Sequence, residues 1–274
     1  MVQGLPLNLA NSNLSVAWEH PVGFLNPGTA RLPPGVGRCV LIPRLAATGG
    51  SLAVVATVAM VGLLDLTVGP LRRTISEYAL GDYRPVFDTA VLLLAIGSAA
   101  ILAALVHKGL TKWRSGGSIA LMLWSAGLLL VVAFPKTNWA EGTNELSGGI
   151  HRFGSMIAFV SLPIAMILLA RPWLEDEVWG RHAKFTMASG VASVAAFTPI
   201  LYAIAMGMAS DVRWWRVFPL GYIERILLAV EVGAVLVAGL WAIAASRVAP
   251  WRVGETSRIT SAPSTTSSTT RTRS

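Results

Sequence analysis

The chain has 274 residues, of which 54% are hydrophobic and 13% charged, with a mean hydropathy of +0.60. Soluble domains carry roughly 25% charged residues, and the connections here hold too little polar sequence to coat a soluble core of this size. The formal net charge of +8 comes without a base-stacking or phosphate-cradling motif, so it reads as membrane topology and attraction to anionic headgroups, not as nucleic-acid binding.

The first 44 residues include the Pro- and Gly-rich stretch "NPGTARLPPGVGRCVLIPR" and lack the basic, apolar, small-residue order of a cleavable signal. They are predicted to be a poorly structured extension, which leaves a start downstream of residue 1 open and makes the first span its own uncleaved insertion signal. The single cysteine, Cys39, excludes an intrachain disulfide and any cysteine-based metal cluster.

Six apolar runs follow, at approximately 45–66, 86–107, 116–134, 149–170, 184–206 and 226–246, close to the roughly 20 residues that a helix needs to cross a bilayer. They are continuous, as in "SLAVVATVAMVGLLDL" and "ILLAVEVGAVLVAGLWAIAA", and do not show the alternating polarity of barrel strands. The expectation is an all-α polytopic integral membrane protein with a six-helix domain over 45–246. Beyond it, the Ser/Thr-rich basic tail 247–274 is expected to be disordered.

An even number of spans puts both termini on one side. That side holds 14 Lys and Arg against 8 on the other, which places both termini in the cytoplasm of a plasma-membrane protein. With the terminal segments set aside, the loops between spans reverse the balance, 6 against 8.

Three outer segments then stand out. "DLTVGPLRRTISEYALGDYRPVFD" carries Arg72, Arg73, Glu77, Asp82, Arg84 and Asp88, and its "TISEYA" suits a short interfacial helix. "FPKTNWAEGTNELSGGIHR" ends at His151 and Arg152. "SDVRWWRVFPLGYIER" mixes Arg213 and Arg216 with Trp214, Trp215, Phe218 and Tyr222, a composition that fits interfacial anchoring.

Within the spans, Glu231 is the residue that most needs explaining. It falls about seven residues into span six, roughly 8 to 10 Å below its outer end, where a carboxylate costs about 2.5 to 3.5 kcal/mol unless partnered. Glu224 lies seven residues earlier on nearly the same face. Asp65, Asp88, His151 and Arg152 fall at comparable depths, and Ser155 shares the face of His151. These residues predict one interhelical cluster centred on Glu231, His151, Arg152, Asp88 and Glu224, with Arg152 or another outer arginine neutralising Glu231 and His151 bridging carboxylates.

Other chemistry has weaker support. The histidines His20, His107, His151 and His182 lack the spacing of a zinc site. Ser147 and Ser155 near His151 offer a nucleophile and a base, but no nucleophile elbow accompanies them. P-loop and dinucleotide fingerprints are missing, so neither a metal nor a cofactor is expected.

The segments "SEYALGDYRPVFD", "VVAFPKTN", "HRFGSMIAF" and "ERILLAVEVG" resemble the bacterial and archaeal membrane-protein family DUF998 over roughly residues 45 to 246. The resemblance implies a multi-helix membrane domain with its recognisable residues near span ends, and it supplies no reaction, substrate or catalytic residue. The extension before residue 45 departs from a simple six-helix core. From the residues themselves, the expected function is non-enzymatic binding of a small ligand, lipid headgroup or protein partner at an outward polar pocket. A small proton-coupled transporter using Glu231 and His151 is the main alternative, and a membrane-embedded hydrolase a weaker one.

Overall fold

The computed structural model describes residues 36–68, 74–137, 145–209 and 220–248. Six long helices span Val36–Val68 (α1), Arg84–His107 (α2), Gly116–Ala133 (α3), Glu145–Ala170 (α4), Gly180–Ala209 (α5) and Leu220–Arg247 (α6). Short 3-10 helices lie at Ile75–Ala79 (η1) and Arg171–Trp173 (η2). All six long helices are long and apolar enough to cross a membrane, and no strand occurs among the described residues. The chain is a multi-pass membrane protein.

Several helices overrun their apolar runs. α1 begins at Val36, ahead of its apolar run, and passes through Pro43. α6 begins at Leu220, six residues ahead of its expected start. Hydropathy marks where hydrocarbon begins, whereas a helix continues into the headgroup layer as long as its backbone bonds are made.

The helices form a closed ring in chain order, with α6 packed between α5 and α1 and also reaching α2 and α4. Close glycine contacts set the tightest neighbours. A Cβ on Gly50 of α1 would lie 2.6 Å from the carbonyl oxygen of Gly97 on α2, and one on Gly127 of α3 would lie 2.6 Å from that of Gly154 on α4. Only glycine permits backbones to approach so closely.

The same contacts fix the register. Gly50 opposes Gly97, and Thr57 Oγ1 donates to the Ala90 carbonyl at 2.9 Å, so α1 and α2 run antiparallel. Gly239 of α6 opposes Ser51 of α1, and Arg225 opposes Asp65, so these two helices are antiparallel as well. The interior is filled by Trp124, Trp241, Leu94, Ile101, Leu162 and Met166. Trp124 Nε1 donates to Ser98 Oγ at 3.0 Å and ties α3 to α2. Large apolar side chains such as Leu52, Leu63, Phe185 and Leu240 remain exposed on the outside, as helices immersed in lipid require.

Candidate functional site

A group of polar and charged residues gathers at the end that carries η1. This helix lies across the mouth of the ring with Ile75 and Ala79 buried, and three groups from three parts of the chain fasten it. Glu224 of α6 accepts from the Ile75 backbone N–H at 2.8 Å. Lys136, just beyond α3, donates to Thr74 Oγ1 at 3.1 Å and to Ser76 Oγ at 3.0 Å.

The third fastening centres on Asp65 of α1. Its two carboxylate oxygens take Arg225 Nε at 2.8 Å and Nη2 at 2.7 Å, while the Tyr78 hydroxyl donates to Oδ1 at 2.7 Å. Fork-to-fork pairing of this kind is the strong form of the ion pair, and here it joins α1, α6 and η1. Burial, reinforced by the Asp65 carboxylate, raises the Tyr78 phenol above its ordinary value. Burial lowers the Lys136 ammonium below its ordinary value, against the opposing pull of Glu224 and Glu77.

Beneath η1 lies a cavity of about 70 Å³. Ile75 and Ser76 roof it, Phe87 and Trp124 contribute aromatic walls, and Thr57, His151, Ser155 and Glu224 bring polar atoms. His151 is only 3% exposed. Its Nδ1 lies 3.0 Å from the Phe134 carbonyl, which caps the C-terminal end of α3. A carbonyl can only accept, so Nδ1 carries the proton and Nε2 of the neutral ring presents a lone pair. That Nε2 is buried and has no hydrogen-bond partner among the described residues.

Glu231 sits apart. It is fully buried, and neither carboxylate oxygen has a partner among the described residues. It lies eleven residues beyond Leu220, hence about 16 Å from the start of α6 at 1.5 Å per residue. The α1–α6 register places it opposite residue 59, within about 3 Å of the level of Thr57 at the same rise.

The single expected cluster is therefore divided. Arg152 is exposed and does not neutralise Glu231, and His151 bridges no carboxylates. Asp88 pairs locally with Arg84 at 3.1 Å across one turn of α2, and Asp82 is exposed. Glu77 accepts from Thr74 Oγ1 at 3.3 Å beside the fastened segment. Arg72, Arg73 and the stretch from Asp211 to Pro219 lie outside the described residues. Ser155 donates to the His151 backbone carbonyl at 2.9 Å and Ser147 to that of Pro135 at 2.9 Å, so neither forms a nucleophile–base pair with the imidazole.

Sequence reasoning missed Arg225, Tyr78, Lys136 and Thr57 as site residues. The nearest signal for Arg225 was its adjacency to Glu224, which puts it on a different face of α6 and toward α1. Among the described residues, no group of three or more His, Cys, Asp or Glu side chains could hold a metal ion.

No curated protein and no solved structure matches the chain. The family model described as "Protein of unknown function (DUF998)" matches residues 48–251, and the chain belongs to that family.

Proposed function

We propose that this protein is a small proton-coupled membrane carrier in which Glu231 takes up and releases the coupling proton. The supporting observation is a fully enclosed carboxyl group in mid-helix with no cation or hydrogen-bond donor against it among the described residues. A carboxylate kept for helix pairing would have a partner, because burying an unpaired charge is strongly unfavourable. Ionisable groups retained inside membrane helices characteristically serve ion or proton pathways.

The cavity volume bears on the choice between ligand binding and transport. Pockets for drug-sized molecules occupy roughly 300 to 1,000 Å³, whereas this cavity is about 70 Å³ and is roofed by η1. Its scale suits water and protons better than a lipid headgroup or a protein segment. The distribution of Lys and Arg supports a plasma-membrane orientation with both termini cytoplasmic, so that η1 faces outward.

The test is the decay of an imposed pH gradient in vesicles reconstituted with purified protein and loaded with a pH-sensitive dye. Faster decay with the wild type than with Glu231→Gln supports the proposal. Equal decay in wild-type, Glu231→Gln and protein-free vesicles overturns it.

A further inference from the structure

We propose that the cavity beneath η1 holds water hydrogen-bonded to His151 Nε2, and that His151 is the residue through which protons enter from this end of the bundle. The inference rests on the carrier reading for its purpose, while its structural content stands separately.

The argument begins with hydrogen-bonding capacity. Each titratable or hydroxyl group at the cavity except His151 has a bond that accounts for it. Glu224 is engaged by the Ile75 N–H, Ser155 donates to a carbonyl of its own helix, and Thr57 donates to Ala90 across the α1–α2 interface. The imidazole alone combines burial, a fixed ring orientation and an empty acceptor position. An unmet buried acceptor beside a space large enough for water is a place where proteins hold ordered water.

Pinning Nδ1 to Phe134 has a chemical consequence. The ring can gain a proton only at Nε2, the atom without a protein partner. In that step an O–H bond of a hydronium in the cavity breaks, an N–H bond forms at Nε2 and a water molecule remains; release is the reverse. The Nδ1–H bond to the Phe134 carbonyl is kept in both states, so protonation needs no ring flip. Thr57, which also lines the cavity, lies at nearly the level of Glu231 by the α1–α6 register.

The charged groups facing His151 carry both signs: Lys136 lies beyond α3 and Asp88 on α2. Glu224 brings a carboxylate from α6 to the same cavity. Asp65 on α1 is occupied by Arg225 and Tyr78, and Glu77 on η1 lies beside Thr74.

The experiment is hydrogen–deuterium exchange at the imidazole C2 position, followed for each histidine by mass spectrometry over a pH series on the full chain in nanodiscs. The exposed His107 serves as the internal reference. His151 is expected to exchange with a sigmoidal pH profile despite its burial. Filling the cavity by Ser155→Leu, or from the α1 side by Val61→Phe, is expected to abolish exchange at His151 and to leave His107 unchanged. No exchange at His151 in the wild type means a dry cavity and overturns the proposal, as does unaltered exchange in both filled variants. Glu231→Gln should leave the His151 profile in place, so a failure of the carrier reading in the vesicle assay is seen separately from a failure here.

Discussion

Arg225 and Asp65 meet through two parallel hydrogen bonds, 2.8 Å from Nε and 2.7 Å from Nη2, with side-chain exposures of only 14% and 19%. A planar guanidinium on a planar carboxylate fixes distance and angle together, so this pair sets how α6 lies against α1, and Tyr78 couples η1 to the same carboxylate. Arg225→Gln and Asp65→Asn should each destabilise the protein by about 2 kcal/mol, within the range for charge-assisted bonds. The double variant should lose less than the sum of the two. Thermal unfolding followed by intrinsic tryptophan fluorescence in detergent gives the cycle, and strict additivity would show that the pair does not hold the helices.

Two glycines of the α3–α4 region should respond in opposite ways to alanine. A Cβ at Gly127 would stand 2.6 Å from the Gly154 carbonyl oxygen and 2.9 Å from the Ala158 nitrogen. These are backbone atoms that cannot rotate away, so Gly127→Ala must push the helices apart and should cost about 1 to 3 kcal/mol. At Gly149 a Cβ would meet nothing within 4 Å. There Gly149→Ala should gain about 0.5 to 1 kcal/mol from helix propensity. The two melting shifts, measured side by side, check the packing; shifts of the same sign would contradict it.

Alkaline titration separates two fastenings of η1. The Lys136 ammonium is lowered from 10.5, so between that lowered value and 10.5 the unfolded chain binds more protons than the folded one, and stability should rise with pH. The Tyr78 phenol is raised from 10.0, so above 10.0 the folded chain keeps a proton the unfolded chain has lost, and stability should fall. Melting temperatures measured against pH should therefore lose the rising component in Lys136→Met and the falling component in Tyr78→Phe. A wild-type curve parallel to both variants would mean that neither group is perturbed by its surroundings.

The sequence revealed the architecture because each span is a long apolar run, and the cost of unsatisfied backbone in lipid leaves a helix as the natural form for such a run. It revealed Glu231, His151, Glu224 and Asp65 as residues in need of explanation, since polarity inside an apolar run is visible without a fold. Pairings were another matter. Asp65 and Arg225 are 160 residues apart, and their meeting depends on α6 closing the ring against α1, which hydropathy does not encode. Likewise Gly49 and Gly50 are equivalent as letters, yet only Gly50 faces α2. Face and register decide such cases, and both emerge only when helices pack.

Those pairings also determine what replacing Glu231 should do. With both oxygens unpartnered among the described residues, its carboxyl supplies no bond there that a substitution would break. Glu231→Gln preserves shape and polarity and should change stability by less than about 1 kcal/mol. Glu231→Leu removes a buried polar group that lacks a partner and should stabilise the fold by about 1 to 3 kcal/mol. Because Arg152 is exposed, combining Arg152→Gln with Glu231→Gln should be additive within about 0.5 kcal/mol. Strong coupling between the two sites, or marked destabilisation by both Glu231 variants, would make this carboxyl a packing element. Unchanged or improved stability together with lost proton flux would show that the group is retained for its chemistry and against the interest of the fold.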